Sequence, residues 1–176
     1  MNKYPRLTDL EAPAARRIPK FVFAYLDSGT GQDQAKDHNR AYLDGIELTP
    51  QFMRGRVNPI LTTKLFGNSY NAPFGVAPIG LSSLIWPGAE SILGAAAKAH
   101  GFPYILSTVA GESLEMVAKA AGEMAWFQLY APKDRDVMTD LLRRAKENGY
   151  ETVVVTADVP APSRRESMRI AGAPLG

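Results

Sequence analysis

The chain has no cysteine and only two histidines. Disulfides, zinc–thiolate centres, iron–sulfur ligation and a cysteine nucleophile are therefore excluded, and no metal site is expected. Long apolar runs are also missing: none approaches the roughly 18–20 residues needed to span a bilayer. The opening stretch MNKYPRLTDLEAPAARR lacks the apolar core of a secretory signal. A cytoplasmic protein is the expectation. Charge of one sign is scarce too. Twenty Lys and Arg face 18 Asp and Glu, a formal net charge of +2, so no nucleic-acid partner is expected. With 45% hydrophobic and 22% charged residues, the composition is that of a globular protein rather than a disordered one.

Two regions differ in pattern. Residues 1–50 read as a helical and irregular segment. Thr8 and Glu11 have capping-box spacing, and Pro13 limits any helix there. Pro19 suits the first turn of a helix that carries Phe21, Val22 and Tyr25 and stops near Ser28-Gly29. A third helical stretch runs from Gln34 to Leu43, and Phe21, Phe23 and Tyr42 are expected to pack. Residues 51–176 behave differently. A hairpin is expected from Thr62–Phe66, a Gly67-Asn68 turn and Ser69-Tyr70. Short apolar runs then alternate with helical segments. The runs are Phe74–Ala77, Tyr104–Leu106, Ala125–Leu129 and Thr152–Thr156, the last β-branched throughout as a strand buried on both faces should be. Helices are expected over 88–100, 113–121 and 133–148, each stopped by a glycine (Gly101, Gly122, Gly149). Strand starts at 74, 104, 125 and 152 have the spacing of β-α repeats, which implies parallel strands.

In parallel α/β folds ligands bind at the carboxyl ends of the strands. The first run is followed by Pro78-Ile79-Gly80 and the second by Ser107-Thr108. The third ends in Gln128-Leu129-Tyr130, and the fourth in Thr156-Ala157-Asp158 with Arg164-Arg165 nearby. Hydroxyls, an amide, a phenol and cations thus recur at one end of successive strands. Such a set has little acid–base power. It suits hydrogen bonding to a flat polar heterocycle and an arginine contact to an anion. Each residue also has an ordinary structural use: Ser107 and Thr156 as local caps, Tyr25 and Tyr130 as core phenols, Arg164 and Arg165 as a solvated pair. Gln128 is harder to explain that way, because a buried amide needs partners.

The segments IPKFVFAYLDSG, HNRAYL, LFGNSYNAPFGVAPIG, WFQLYAPKDR, ENGYETVVVTADVP and SRRE resemble the N-terminal half of the FMN-dependent L-2-hydroxyacid dehydrogenases and oxidases. That family includes lactate and mandelate dehydrogenases and glycolate oxidase. The resemblance implies an α/β fold, a TIM (β/α)8 barrel, of which this chain supplies the N-terminal helical segment and about the first four βα units. It implies FMN as cofactor, with the backbone of Ala77, Pro78, Ile79 and Gly80 against the flavin ring. Ser107, Gln128 and Thr156 would bond the ring's polar edge. It further implies that Tyr25 and Tyr130 contact the carboxylate and hydroxyl of a 2-hydroxyacid substrate, and that Arg165 approaches it from the loop after the fourth strand.

Some positions depart from the family pattern. Ile79 stands where threonine is usual and Ser163 where glycine is common, while ESMRIAG blurs the acid-plus-Asn pattern that often follows RRE. Gly80, where alanine is the alternative, resembles the members that accept larger substrates, and Trp86-Pro87 is closer to the mandelate and lactate dehydrogenase branch than to glycolate oxidase. The family's histidine base, carboxylate-clamping arginine, flavin-side lysine and phosphate loops lie in the second half of the barrel. His38 and His100 fall in or after helices and are rejected as the base. The expected partners are therefore a C-terminal half of the same enzyme, as a second chain, and further copies in a homotetramer. The dehydrogenase members imply peripheral attachment at the cytoplasmic face of the membrane. Two alternatives stay open: another FMN barrel enzyme of the isomerase type, and a non-catalytic flavin-binding half-barrel.

Overall fold

Glycine and proline set many of the boundaries in the computed structural model, which describes residues 4–56, 58–158 and 163–173. The chain divides into two compact units, Met1–Val57 with Ala161–Gly176, and Asn58–Pro160.

The first unit is helical among its described residues. A 3-10 turn, Leu7–Leu10, leads into α1 (Glu11–Arg17), α2 (Lys20–Asp27) and α3 (Gln34–Asp44), and α8 (Glu166–Ile170) returns to it. The capping box forms two residues earlier than the Thr8–Glu11 spacing suggests. Asp9 accepts from the Arg6 backbone N–H at 3.0 Å and pairs with the Arg6 guanidinium as well, a double bond set that Thr8 and Glu11 cannot make. Pro13 does not stop α1, because it is the third residue, where a backbone N–H has no carbonyl to claim. Pro19 is the residue before α2 rather than part of its first turn. Val22 is buried, Phe21 and Phe23 are half-buried, and Tyr42, expected to pack, is 80% exposed on α3.

The second unit holds the sheet. Strands β1 (Thr63–Leu65) and β2 (Asn68–Tyr70) form the hairpin, turning through Phe66-Gly67 one residue earlier than expected. Both turn residues have positive φ, 50° and 88°, as a two-residue hairpin turn with right-handed strand twist requires. Strands β3 (Tyr104–Ser107), β4 (Ala125–Leu129) and β5 (Thr152–Val155) form a parallel sheet in that order. Between them lie α6 (Leu114–Ala121) and α7 (Arg135–Glu147). A short α4 (Ser82–Ile85), not anticipated from the sequence, and α5 (Ala89–His100) precede β3.

The expected first strand, Phe74–Ala77, is reduced to a single parallel bridge between Val76 and Tyr104. Its two bonds run from Val76 N–H to Pro103 O and from Ile105 N–H to Val76 O. Extending the ladder would need an N–H from Pro103 on one side and from Pro78 on the other, and proline has none. Gly75 completes this junction: a Cβ there would lie 2.6 Å from Pro103 O.

Strand alternation divides the sheet. Tyr104, Leu106, Ala125, Phe127 and Leu129 join the core cluster with Val117, Ala121 and Ala145 of the covering helices. Small residues allow close approach: a Cβ on Gly94 of α5 would lie 3.1 Å from the Cβ of Ala121. On the opposite face, Trp126 donates its Nε1–H to the Tyr70 hydroxyl at 2.9 Å and packs edge-on against Phe66 and Tyr70, seating the hairpin. The TVVVT run is not buried on both faces. Val153 is 39% and Val155 60% exposed, because β5 is an edge strand among the described residues. Tyr150, just before β5, donates its buried hydroxyl to Leu114 O at 2.8 Å, and burial pushes that phenol's pKa up.

Two tests follow from this packing. Gly75→Ala should destabilise the protein by about 1–3 kcal/mol, the usual range for forcing an extra group into a packed junction; urea denaturation measures it. The second concerns α6 and α7, which are joined by Arg144 and Glu115 through bonds of 2.7 and 3.0 Å. The Arg144 guanidinium lowers the Glu115 carboxyl from 4.5 to about 2. A carboxyl lowered on folding contributes stability above its unfolded pKa and loses it as pH falls through the folded value. Thermal melts between pH 4.5 and 2 should therefore fall less steeply for Glu115→Gln than for wild type.

Candidate functional site

The parallel register places Ser107 beside Gln128, and Thr156 continues the β5 ladder through its N–H bond to Leu129 O at 3.0 Å. These three side chains stand at the carboxyl ends of adjacent strands and form one hydrogen-bonded row. Gln128 is 2% exposed and sits at its centre. Its Oε1 accepts from Ser107 Oγ at 3.2 Å and from Thr108 N–H at 3.1 Å, while its Nε2 donates to Thr156 Oγ1 at 2.8 Å. Ser107 Oγ in turn accepts from Val109 N–H at 3.3 Å. Thr108 ties the row to the next residue along: its hydroxyl donates to Gln128 O and accepts from Tyr130 N–H at 3.0 Å.

The residues that the sequence assigned to two different strands and a loop are thus brought together. Tyr130 follows them with its side chain 41% exposed. Ala77, Pro78 and Ile79 form exposed backbone after the Val76 bridge, and Gly80 is half-buried. Val109 O accepts from Leu81 N–H at 2.9 Å, which joins this backbone to the loop beyond β3. The first unit holds the other two residues. Arg165 donates from Nη1 to Tyr25 O at 3.1 Å, and its guanidinium carbon lies 5.5 Å from the Tyr25 ring centroid. Gly31 N–H donates to Arg164 O at 2.7 Å and fixes the segment that carries Arg165. His100 lies before the N-terminal end of β3, stacked on Phe102, and His38 is on α3. Val159 and Pro160 of the ENGYETVVVTADVP motif lie outside the described residues.

The sequence reading missed Glu90, the second residue of α5, which is fully buried. Its carboxylate accepts from Ser83 N–H at 3.1 Å, from Gly111 N–H at 2.8 Å and from the Ser83 hydroxyl. Burial alone would push this carboxyl up; the Ser83 hydroxyl and the backbone N–H groups of Gly111, Glu90 and Ser83 outweigh it and hold the pKa below the usual value. A signal was present in the sequence: Glu90 shares a face of α5 with Gly94 and Ala97, both buried, so the charge falls on the apolar side of the helix.

The row has the donors that a flavin's polar edge requires. Among the described residues, the second Nε2 hydrogen of Gln128 and the hydroxyl hydrogen of Thr156 have no acceptor. A flavin's pyrimidine edge presents carbonyl oxygens and ring nitrogens, which need donors of this kind. The residues present fit the group. Among the described residues, no helix is long and apolar enough to cross a membrane.

Comparison with known proteins agrees with this chemistry. The profile of the FMN-dependent dehydrogenase family matches residues 14–175. L-lactate dehydrogenases from Pseudomonas putida strain F1 and Ectopseudomonas mendocina strain ymp are 39% and 40% identical over 158 residues, 90% of this chain and 42% of theirs. The chain therefore spans about two-fifths of the length of those curated relatives. A crystal structure of mandelate oxidase superposes on 99% of this chain and 50% of its own, with a TM-score of 0.90 and 33% identity. A variant of the active chimera of (S)-mandelate dehydrogenase covers 96% of this chain with a TM-score of 0.88 and 28% identity. The fold is α/β, part of a TIM barrel. With its profile match running almost end to end, the chain belongs to the FMN-dependent dehydrogenase family.

Proposed function

We propose that this chain is the N-terminal, flavin-edge part of an enzyme that oxidises an L-2-hydroxyacid of the lactate or mandelate kind to the 2-oxoacid. The observation that carries the reading is the buried Ser107–Gln128–Thr156 row, with donors still available at Gln128 and Thr156. In this reading Gln128 and Thr156 donate to the polar edge of FMN and Ser107 orients the Gln128 amide. The backbone of Ala77, Pro78, Ile79 and Gly80 offers the ring a surface with little side-chain bulk. When bound, FMN supplies the two-electron acceptor for oxidation of the substrate's carbinol carbon.

For the substrate we assign Tyr25, Tyr130 and Arg165. Two phenols and a cation suit a carboxylate with a neighbouring hydroxyl, and Arg165 offers the planar donor fork that a carboxylate fits. None of the three row residues carries a titrating base, and His38 and His100 lie on helices, so none of these is assigned the substrate proton. The base is assigned to sequence beyond these 176 residues, in the second half of the barrel supplied as a second chain. The partial coverage of the relatives supports that assignment. A homotetramer and peripheral attachment at the cytoplasmic membrane face complete the reading.

The assembled protein should be yellow. Its flavin absorbance should bleach anaerobically on adding lactate or mandelate, and denaturing mass spectrometry of the same preparation should show a polypeptide besides the 19.1 kDa chain. Absence of bleaching across a panel of 2-hydroxyacids would rule out the oxidation. A flavin that binds and never bleaches would favour the non-catalytic alternative.

The second test is on the row itself. Gln128→Leu keeps the bulk but removes both ends of the amide, leaving Thr108 N–H without its acceptor. FMN affinity should fall by about tenfold or more, the equivalent of about 1.4 kcal/mol. Fluorescence titration of the deflavinated protein measures this, and an unchanged Kd would remove Gln128 from the flavin site.

A further inference from the structure

Glu90 is a carboxylate with no exposed surface and no cation among its described partners. Groups of that kind are costly to bury, so their hydrogen bonds must be complete. Here they are, and the partners belong to two different segments. Ser83 stands in α4, directly after the 77–80 backbone; Gly111 stands in the loop after Ser107. From Ser83 the connection continues through Ser82, whose hydroxyl donates to Ile79 O at 2.8 Å. From Gly111 it runs back through Ala110 N–H to Ser107 O at 3.1 Å. One carboxylate thus holds both the backbone strip that precedes α4 and the loop that starts at the hydrogen-bonded row.

Three further features serve the same junction. A Cβ on Gly111 would lie 2.6 Å from the Ser83 Cβ, so this loop approaches α4 as closely as it does only with glycine there. Glu112 accepts from Ser91 N–H at 2.7 Å, pinning the loop to the first turn of α5 a second time. Glu90 also sits in that first turn, where the helix dipole favours a negative charge.

We propose that Glu90 is a positioning residue for the flavin-binding rim: it fixes the spacing between the 77–80 backbone and Ser107. The inference rests on the reading of that rim as the flavin site. Its geometry makes a specific demand. Oε1 takes both backbone N–H groups, whereas Oε2 takes only a hydroxyl. A glutamine can reproduce this set, with its oxygen on the two N–H groups and its NH2 donating to Ser83 Oγ. Alanine reproduces none of it.

The test compares Glu90→Ala, Glu90→Gln and Ser83→Ala with wild type in the full enzyme, reading FMN affinity by fluorescence titration after deflavination, the visible band of the bound flavin, and the apoprotein's Tm. Glu90→Ala should weaken FMN by about tenfold, as removal of an orienting partner does at other sites, and should shift the flavin band. Glu90→Gln should stay within about threefold of wild type, because the bonds are re-formed without the charge. A Glu90→Ala enzyme with a lower Tm but unchanged affinity and spectrum would make the residue structural only and overturn the inference. A Glu90→Gln enzyme as weak as Glu90→Ala would overturn it equally. If Glu90→Ala does not fold, Ser83→Ala decides: about threefold weaker binding is expected for the loss of one bond, and an unchanged Kd overturns the proposal. Failure of wild type to take up FMN would overturn the flavin reading itself, and this inference with it.

Discussion

A primary amide buried in an apolar strand must find partners for its oxygen and its hydrogens. Gln128 meets that requirement by taking Ser107 and Thr108 on one side and Thr156 on the other. Three strand ends are thereby locked to one another by side chains as well as by the ladder. The same strand shows why the amide lies where it does. Alternation sends Ala125, Phe127 and Leu129 into the helix-covered core and leaves Trp126 and Gln128 on the other face. Trp126 closes one end of that face by seating the hairpin, and Gln128 sets the chemistry of the other end. Stability and ligand chemistry are therefore divided along a single five-residue strand.

Much of this was readable in the sequence because it depends on local rules. The glycines after α5, α6 and α7 all have positive φ; Gly101 takes left-handed helical values (φ 71°, ψ 42°), whereas Gly122 has ψ −135° and turns the chain toward extended backbone instead. The strands β3 and β4 fall within a residue of the apolar runs that predicted them. The failures are non-local. The Phe74–Ala77 run looked like a strand because its own residues suit one, but the proline that blocks its ladder on one side is on the neighbouring segment, at 103. TVVVT looked doubly buried because valine is indifferent to which side is covered; exposure of Val153 and Val155 depends on what lies beside β5. Tyr42 was expected to pack on residue type alone, which says nothing of which face of α3 it occupies.

The candidate site shows the same division. Ser107, Gln128 and Thr156 were legible because strand ends in a parallel sheet can be counted from the spacing. Tyr25 and Arg165 came from the resemblance, since nothing in their local sequence links two positions 140 residues apart; the bond from Arg165 to Tyr25 O is a property of the fold. Glu90 does not stand out in the sequence, because an acidic residue in the first turn of a helix has an ordinary explanation in the helix dipole. Its functional interest arises from Ser83 and Gly111, which approach it only once α4 and the loop after β3 are in place.

The polar residues of the rim are also informative in kind. The row is built from hydroxyls and an amide, none of which titrates in the physiological range. A grip on a cofactor made from such groups keeps its strength as pH changes, whereas a histidine or carboxylate in the row would loosen or clash on one side of its pKa. Glu90, the one buried carboxylate among the described residues, has its oxygens occupied and its pKa held low by the bonds around it. Charge is thus used to fix the segments around the row, and the row itself is left with neutral groups. Groups of this kind can bind and orient but carry no titrating proton, so in the proposed oxidation the proton transfer falls to a group outside the row.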